Sequence, residues 1–478
     1  MKIGIPKENK VEQVLTTETK LKDKEIISYM DDFRKDYNSA LRYFWNTYRN
    51  NPDVNISNEN TKLQKKFEFS KRVCNSIIQS VKGMYESQKE LFKFQLNVLA
   101  LKIESLSKKY DKLRNRVNSA KEKTKLNRLN NNQLKIYRSN KKKLYFQGQK
   151  IQKLKAEYFR LENRIKNNTY KICFGSKKLF KAQFHLEENG YKSHEQWLKN
   201  FRNKRDSNIV YIGSKGETKS NSMFQLNLEE ILDNCSTYSM KIRKTTKEKE
   251  YLYGICKLKY LDKELNKYLL DNSIHGVTYR IHFRNKKCYL QIMLTLIKDD
   301  RFLDTCTKDG TIGIDFNKGF LETGETDSKG NLIKLRHFDR KYYSQGNKSE
   351  SELQKIIVDI IKLAKESGKS IIIEDLNFSK KKGKATKAKS DKGKEYNNML
   401  HTLDYSRYTK LLERACFRND VELIKVNPFY TSQVAKWKYC KKRKMTVHEG
   451  ASWMIARKGQ NYKWFMKDMD EYLAYKNK

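Results

Sequence analysis

The sequence predicts a multidomain α+β protein, with a helical N-terminal region containing an antiparallel helical hairpin, a small β-barrel-like domain and a C-terminal α/β domain. Three observations support this class. Only Pro6, Pro52 and Pro428 interrupt 478 residues, so long helices are permitted. Apolar residues between about 91 and 168 recur at spacings of three and four, the period of a helix face. Beyond about residue 170 the runs become short, alternating and turn-bounded, and from 311 strands and helices alternate.

The first expected region spans 1–170. Residues 18–50 and 60–90 read as helical, with Phe33, Tyr37, Leu41, Phe44 and Tyr48 spaced as one face. Leu96, Leu99, Ile103, Leu106, Tyr110, Leu113 and Val117 then repeat along one helix. After the polar stretch KEKTKLNRLNNNQ, Leu144, Ile151, Leu154, Tyr158, Leu161 and Ile165 do the same. The two series predict helices zipped along a heptad seam. Lysine-rich outer faces suit an arm that clasps a nucleic acid, and a dimerising coiled coil is the alternative.

Residues 171–310 contain KICFGSKKLFKAQF, NIVYIGSKGE and GVTYRIHFRNKKCYLQIMLTL, which read as strands of a barrel-like domain, either nucleic-acid-binding through its Lys and aromatic residues or purely structural. Residues 311–478 give strands at 311–316 and 320–337, then an amphipathic helix bearing Leu353, Ile356, Ile357, Ile360, Ile361 and Ala364. The strand SIIIEDL, a Lys-rich insertion at 379–396, a helix around 405–417, the strand VELIKV and a final helix near 446–457 complete the pattern of a mixed sheet.

Charge bears most directly on partners. The chain carries 102 Lys and Arg against 56 Asp and Glu, a net charge of +46. Such an excess repels itself unless a polyanion accompanies it, and the common polyanion is nucleic acid. Nothing in the sequence suggests a membrane span. The start, MKIGIPKENKVEQ, lacks an apolar stretch of signal-peptide length, so reduced cysteines in a cytoplasm are expected. The eight cysteines are scattered without a C-x-x-C pair, which argues against a disulfide framework or structural zinc.

Asp315 closes the first strand of the C-terminal domain and Glu374 closes SIIIE. Two carboxylates at the ends of neighbouring strands repel each other, and a divalent cation between them removes that penalty. Hard oxygen ligands suit Mg²⁺ or Mn²⁺, and such a site can cleave phosphodiesters. The competing reading has Asp315 capping a turn and Glu374 pairing with a surface lysine.

IGIDFNKG with the downstream DSKGNL, IIIEDLNFSKK and VELIKVNPFYTSQ resemble, in order, the nuclease motifs of the transposon-encoded TnpB (OrfB) proteins, relatives of type V CRISPR effectors. CFGSKKLFKAQ, SHEQWLKNFR, YIGSKGETKSN, YNNMLHTLDYSRY and VHEGASWMIARKG resemble blocks of a lysine-rich variant group, so the likeness covers about 170–460. The resemblance implies an RNase H-like (RuvC) nuclease in a prokaryotic cytoplasm, associated with the nucleoid. It implies guide RNA and target DNA as partners, as a monomer with RNA or a homodimer, with Asp315 and Glu374 as metal-binding acids.

Two departures accompany the likeness. Thr431-Ser432 leads into QVAKWKYCKKRK, where Cys440 stands alone in place of the paired cysteines of a zinc ribbon, so zinc is not expected. Aligning Ala451 and Ser452 with the usual paired alanines puts His448 where the third acid belongs. His448 resembles the histidine that some RuvC-superfamily resolvases use there, and neutral imidazole binds divalent metals. Glu449 is the neighbouring candidate, about 100° around the helix. Asp404 and Asp420 are further acids without a motif match. The alternative for His448 is a helix cap in a protein that has lost cutting.

Lys380, Lys381, Lys382, Lys384, Lys387, Lys389, Lys392 and Lys394 follow Glu374, and read either as a solvated loop or as a screen for substrate phosphates. Lys436, Trp437, Lys438, Tyr430, Tyr439, Lys441, Lys442 and Arg443 mix cations with aromatics, as a contact for unpaired bases would, and core packing of one aromatic face is the alternative for the aromatics. Arg457 and Lys458 are candidates of the same kind. The expected activity is an RNA-guided, metal-dependent DNA endonuclease of a mobile element. A nuclease-deficient RNA-guided repressor and a strand-transfer transposase are the alternatives.

Overall fold

The computed structural model describes residues 10–126, 128–232, 235–244, 250–271, 276–299, 303–317, 319–340, 346–376 and 405–476. The chain divides into two compact units, Val14–Leu296 and Met1–Gln13 with Ile297–Lys478.

In the first unit, strand β1 (Lys10–Lys20) leads into α1 (Lys24–Asn50), whose first turn is capped by the Asp23 carboxylate accepting from Ile26 N. The aromatic face read from sequence is buried: Phe33, Tyr37, Phe44 and Tyr48 are all in the core. Residues 18–20 belong to β1, not to the helix. After α2 (Ile56–Phe67), α3 (Lys71–Lys125) runs 55 residues, roughly 80 Å at 1.5 Å per residue. Its first turns pack on α1, with Tyr85 edge-on to Tyr48 at 5.3 Å between centroids. Its remainder pairs with α4 (Asn131–Lys166) to make the expected hairpin. Leu99, Val117, Ile151 and Leu161 are buried in the seam, and Tyr110 passes Gly148 so closely that a Cβ there would lie 3.4 Å from its ring.

The β-barrel-like domain expected at 171–310 is not formed. KKLFK is a short helix, Lys177–Lys181, and the strands after it build two open sheets. One has the order β1-β7-β6-β2, with β2 Asn208–Tyr211, β6 Thr278–Arg284 and β7 Lys287–Asp299. The other is the meander β3 (Phe224–Leu232), β4 (Cys235–Arg243) and β5 (Tyr251–Leu258). Alternation specifies which face of a strand is buried, but closure requires the first and last strands to pair, which no local pattern encodes. Here β1, from the region expected to be helical, occupies a sheet edge instead. Helices α5 (His194–Arg205) and α6 (Asp262–Leu270) complete the unit.

The second unit centres on a five-stranded sheet of order β10-β9-β8-β11-β12. Strand β8 is Cys306–Phe316, β9 Phe320–Thr326, β10 Leu332–Asp339, β11 Lys369–Glu374 and β12 Leu423–Val426. The run expected as one strand over 320–337 is thus two. Strands β8, β9 and β10 are antiparallel neighbours, whereas β11 runs parallel to both β8 and β12. Helices α7 (Gly346–Ser367) and α8 (Tyr405–Arg418) cover one face. There Ile312, Ile314, Ile371 and Ile373 pack with Leu353, Ile357 and Ile360 of α7 and Tyr408 and Leu412 of α8.

Three further helices follow. Helix α9 joins Thr431–Val434, a π-helical Ala435–Cys440 and Lys441–Arg443; α10 is Val447–Gln460 and α11 Tyr462–Lys476. Helix α10 lies directly on the opposite sheet face. A Cβ on Gly313 would come 2.2 Å from the Ser452 carbonyl oxygen, and one on Gly324 2.7 Å from Trp453 N. The two glycines, opposite each other on β8 and β9, admit a helix backbone where side chains would hold it away.

Candidate active site at the ends of two parallel strands

Strand alternation decides where the acids go. Ile312 and Ile314 on β8, and Ile371 and Ile373 on β11, point into the α7 side of the sheet. Asp315 and Glu374, one residue further, therefore point to the α10 side. Because Ile314 pairs with Ile373 in parallel register, the two carboxylates leave adjacent strands side by side at their carboxyl ends.

Each acid is held. Asp315 Oδ2 accepts from Asn317 Nδ2 at 3.0 Å and from His448 Nδ1 at 2.8 Å. Thr431 Oγ1 donates to Glu374 Oε1 at 2.6 Å, and the Tyr405 hydroxyl donates to the Glu374 carbonyl. The bond to Asp315 raises the His448 imidazolium above its ordinary range, against partial burial. Behind the site Lys458 is buried and donates to the Phe429 carbonyl at 2.9 Å, and burial lowers its ammonium, with Glu374 opposing.

The capping question is settled by α10 itself. Thr446 is the N-cap and Glu449 completes a capping box, its Oε2 accepting from Thr446 N at 2.7 Å. Glu449 is thereby committed to the helix end, leaving His448 to face Asp315. Asp420 lies in the turn before β12, where its carbonyl accepts from Asp304 N at 2.7 Å, at the opposite end of the parallel strands. Asp404 and the lysines at 380, 381, 382, 384, 387, 389, 392 and 394 fall outside the described residues.

Among the described residues no group of three His, Cys, Asp or Glu side chains is placed to hold a metal ion. Asp315 and Glu374 still fit a hard divalent ion in donor type. Mg²⁺ is characteristically held by one or two carboxylates, with waters and substrate phosphates supplying the rest.

No family model and no curated protein matches the chain. Among solved structures, T. thermophilus RuvC in complex with a Holliday junction substrate is 12% identical with a TM-score of 0.24, over 34% of this chain and 95% of that one. A Cas12f1–sgRNA–target DNA complex is 13% identical with a TM-score of 0.22, over 78% and 95%. A Cas12i1 R-loop complex after target DNA cleavage is 10% identical with a TM-score of 0.23, over 88% and 50%. Likenesses this slight leave the chemistry to be read from the chain's own residues.

The basic and aromatic residues singled out from sequence divide into two groups. Lys438 and Arg457 turn inward to one buried carboxylate: Lys438 Nζ reaches Asp468 Oδ1 at 2.7 Å and Arg457 Nε reaches Oδ2 at 2.8 Å. Tyr439 packs on Trp453 and donates to the same Asp468, while Trp437 sits between Tyr472 and Tyr475. Lys436, Lys441 and Lys442 are exposed, and Arg443, also exposed, lies over the Trp453 ring at 4.9 Å.

Sequence reading missed Glu322, His337 and Phe320. Glu322 on β9 stands opposite Asp315, and His337 on β10 stands opposite Glu322. The signal was present in FNKGFLET: a tight hairpin pairing Phe316 with Leu321 necessarily puts Glu322 across from Asp315.

Proposed function

We propose that the chain is an RNA-guided, divalent-metal-dependent DNA endonuclease of a mobile element, TnpB-like, that hydrolyses phosphodiesters at Asp315 and Glu374. The observation that carries this reading is the side-by-side exit of the two carboxylates from adjacent parallel strands, on the face where His448 meets Asp315. In open sheets with parallel strands, ligands bind beyond the carboxyl ends of those strands. The charge of +46 supports a nucleic-acid partner, and the sequence likeness supplies the guide RNA and the mobile element.

When bound by Asp315 and Glu374, a divalent ion would polarise the scissile phosphate and stabilise charge on the departing oxygen. The chain's own groups do the positioning. Asn317 and His448 orient the Asp315 carboxylate, and Thr431 orients that of Glu374. Hydrolysis then joins a water oxygen to phosphorus and breaks the bond from phosphorus to one of its two ester oxygens, which leaves as a hydroxyl with the proton the water gives up.

One observation favours a second reading, the nuclease-deficient RNA-guided repressor. His448 Nδ1 is engaged on Asp315 itself, so it ties up one ligand where a third acid would stand. Plasmid cleavage by the protein co-purified with its native-locus RNA, in Mg²⁺ and in Mn²⁺, separates the two. Cutting that Asp315→Ala and Glu374→Ala each abolish supports the endonuclease. RNA-directed DNA binding without cutting in either metal supports the repressor.

A further inference from the structure

His337 forms a second polar site on the same sheet face. Its Nδ1 meets Glu322 Oε1 at 2.5 Å, and the Glu322 side chain is only 7% exposed. The other oxygen, Oε2, is buried with no hydrogen-bond partner. His337 thus turns Nδ1 onto the Glu322 carboxylate and Nε2 outward, and oxygen acceptors at both nitrogens favour the imidazolium. Glu322, then Asp339, raise it above the ordinary imidazole range.

The ring is held in place as well as charged. His337 stacks on Phe320 at 5.2 Å and 25° between planes, and Phe320 meets His448 edge-on at 5.3 Å and 81°. A row of three rings thus runs from the Asp315 pair to His337. The His337 side chain is 49% exposed, and its Nε2 faces Asp339 Oδ1 at 3.2 Å. Asp339 is itself 90% exposed, so this pairing is weak and easily exchanged. An anionic oxygen already stands where a phosphate oxygen would.

We propose that His337 is a phosphate-contacting residue, whose Nε2–H donates to a non-bridging backbone oxygen of the DNA strand lying across Asp315 and Glu374. The phosphate displaces Asp339, and Glu322 is the positioning residue that fixes the ring. This rests on the endonuclease reading above.

The test is the salt dependence of binding, measured without cutting. The full chain with its co-purified RNA is titrated in EDTA against a fluorescein-labelled single-stranded DNA oligonucleotide over a series of KCl concentrations. Losing one phosphate contact lowers the slope of log K against log salt by about 0.7 for a single strand. His337→Gln should show that loss and His337→Lys should retain the wild-type slope, whereas a purely structural role predicts weaker binding at unchanged slope. Asp339→Asn, an exposed change that spares the fold, should bind about two- to fivefold tighter. A wild-type slope in His337→Gln with no gain in Asp339→Asn overturns the proposal alone. Failure of the wild-type complex to bind DNA overturns the endonuclease reading and this inference with it.

Discussion

The two faces of β8 and β11 face different environments only one residue apart. Toward α7 and α8 the strands present Ile312, Ile314, Ile371 and Ile373, and packing there depends on apolar bulk. Toward α10 they present Thr311, Gly313 and Asp315 on β8, and packing depends on the absence of bulk. The first face stabilises the sheet wherever its helices sit. The second fixes how close α10 comes, and so where His448 stands relative to Asp315.

The contrast can be broken from either side. The largest effect is expected at the anchor of the α10 face, where Asp468 is buried between Lys438 and Arg457. Asp468→Ala takes the carboxylate from Arg457 and leaves Lys438 with Glu471 alone, and should cost about 3–5 kcal/mol in urea unfolding of the full chain. On the apolar face Ile373→Ala removes bulk from a closed core and should cost about 2–5 kcal/mol by the same measurement. Gly313→Ala does the reverse, adding a methyl against the Ser452 carbonyl, and should cost about 1–3 kcal/mol. Because it moves α10, Gly313→Ala should also lower cleavage more than Ile373→Ala does at matched stability.

A smaller effect is expected from Thr446→Ala, which removes the α10 cap at about 1 kcal/mol and loosens the turn carrying His448. The smallest concerns pH. The folded-state pKa of His337 is raised by Glu322 and Asp339, so its stabilisation is complete below the unfolded value of about 6.5 and is lost as pH rises through the folded value. The stability difference between wild type and His337→Gln should therefore shrink from pH 6 to pH 9 in paired urea titrations.

Features with a local signature were legible in the sequence. The hairpin seam through Leu99, Val117, Ile151 and Leu161 follows from helical spacing, and the strand ends at Asp315 and Glu374 follow from β-branched runs that stop at an acid. Features that depend on distant partners were not. Strand β1 joins β7 across the whole helical region, and the strands expected to close a barrel form two open sheets instead. Lys438 and Arg457 read as free cations because Asp468 lies on α11, a helix the sequence reading did not anticipate. Glu322 was hidden because its importance comes from a cross-strand partner, Asp315, rather than from its own motif.

The central claim is that Asp315 and Glu374 act as one divalent-ion site. Mn²⁺ binding to the full chain, followed by electron paramagnetic resonance, tests it directly with Asp315→Ala, Glu374→Ala and the double variant. The account predicts that each single variant loses the same bound ion and that the double variant loses no more than either. Unchanged Mn²⁺ binding in both single variants, or losses that add in the double variant, would contradict it.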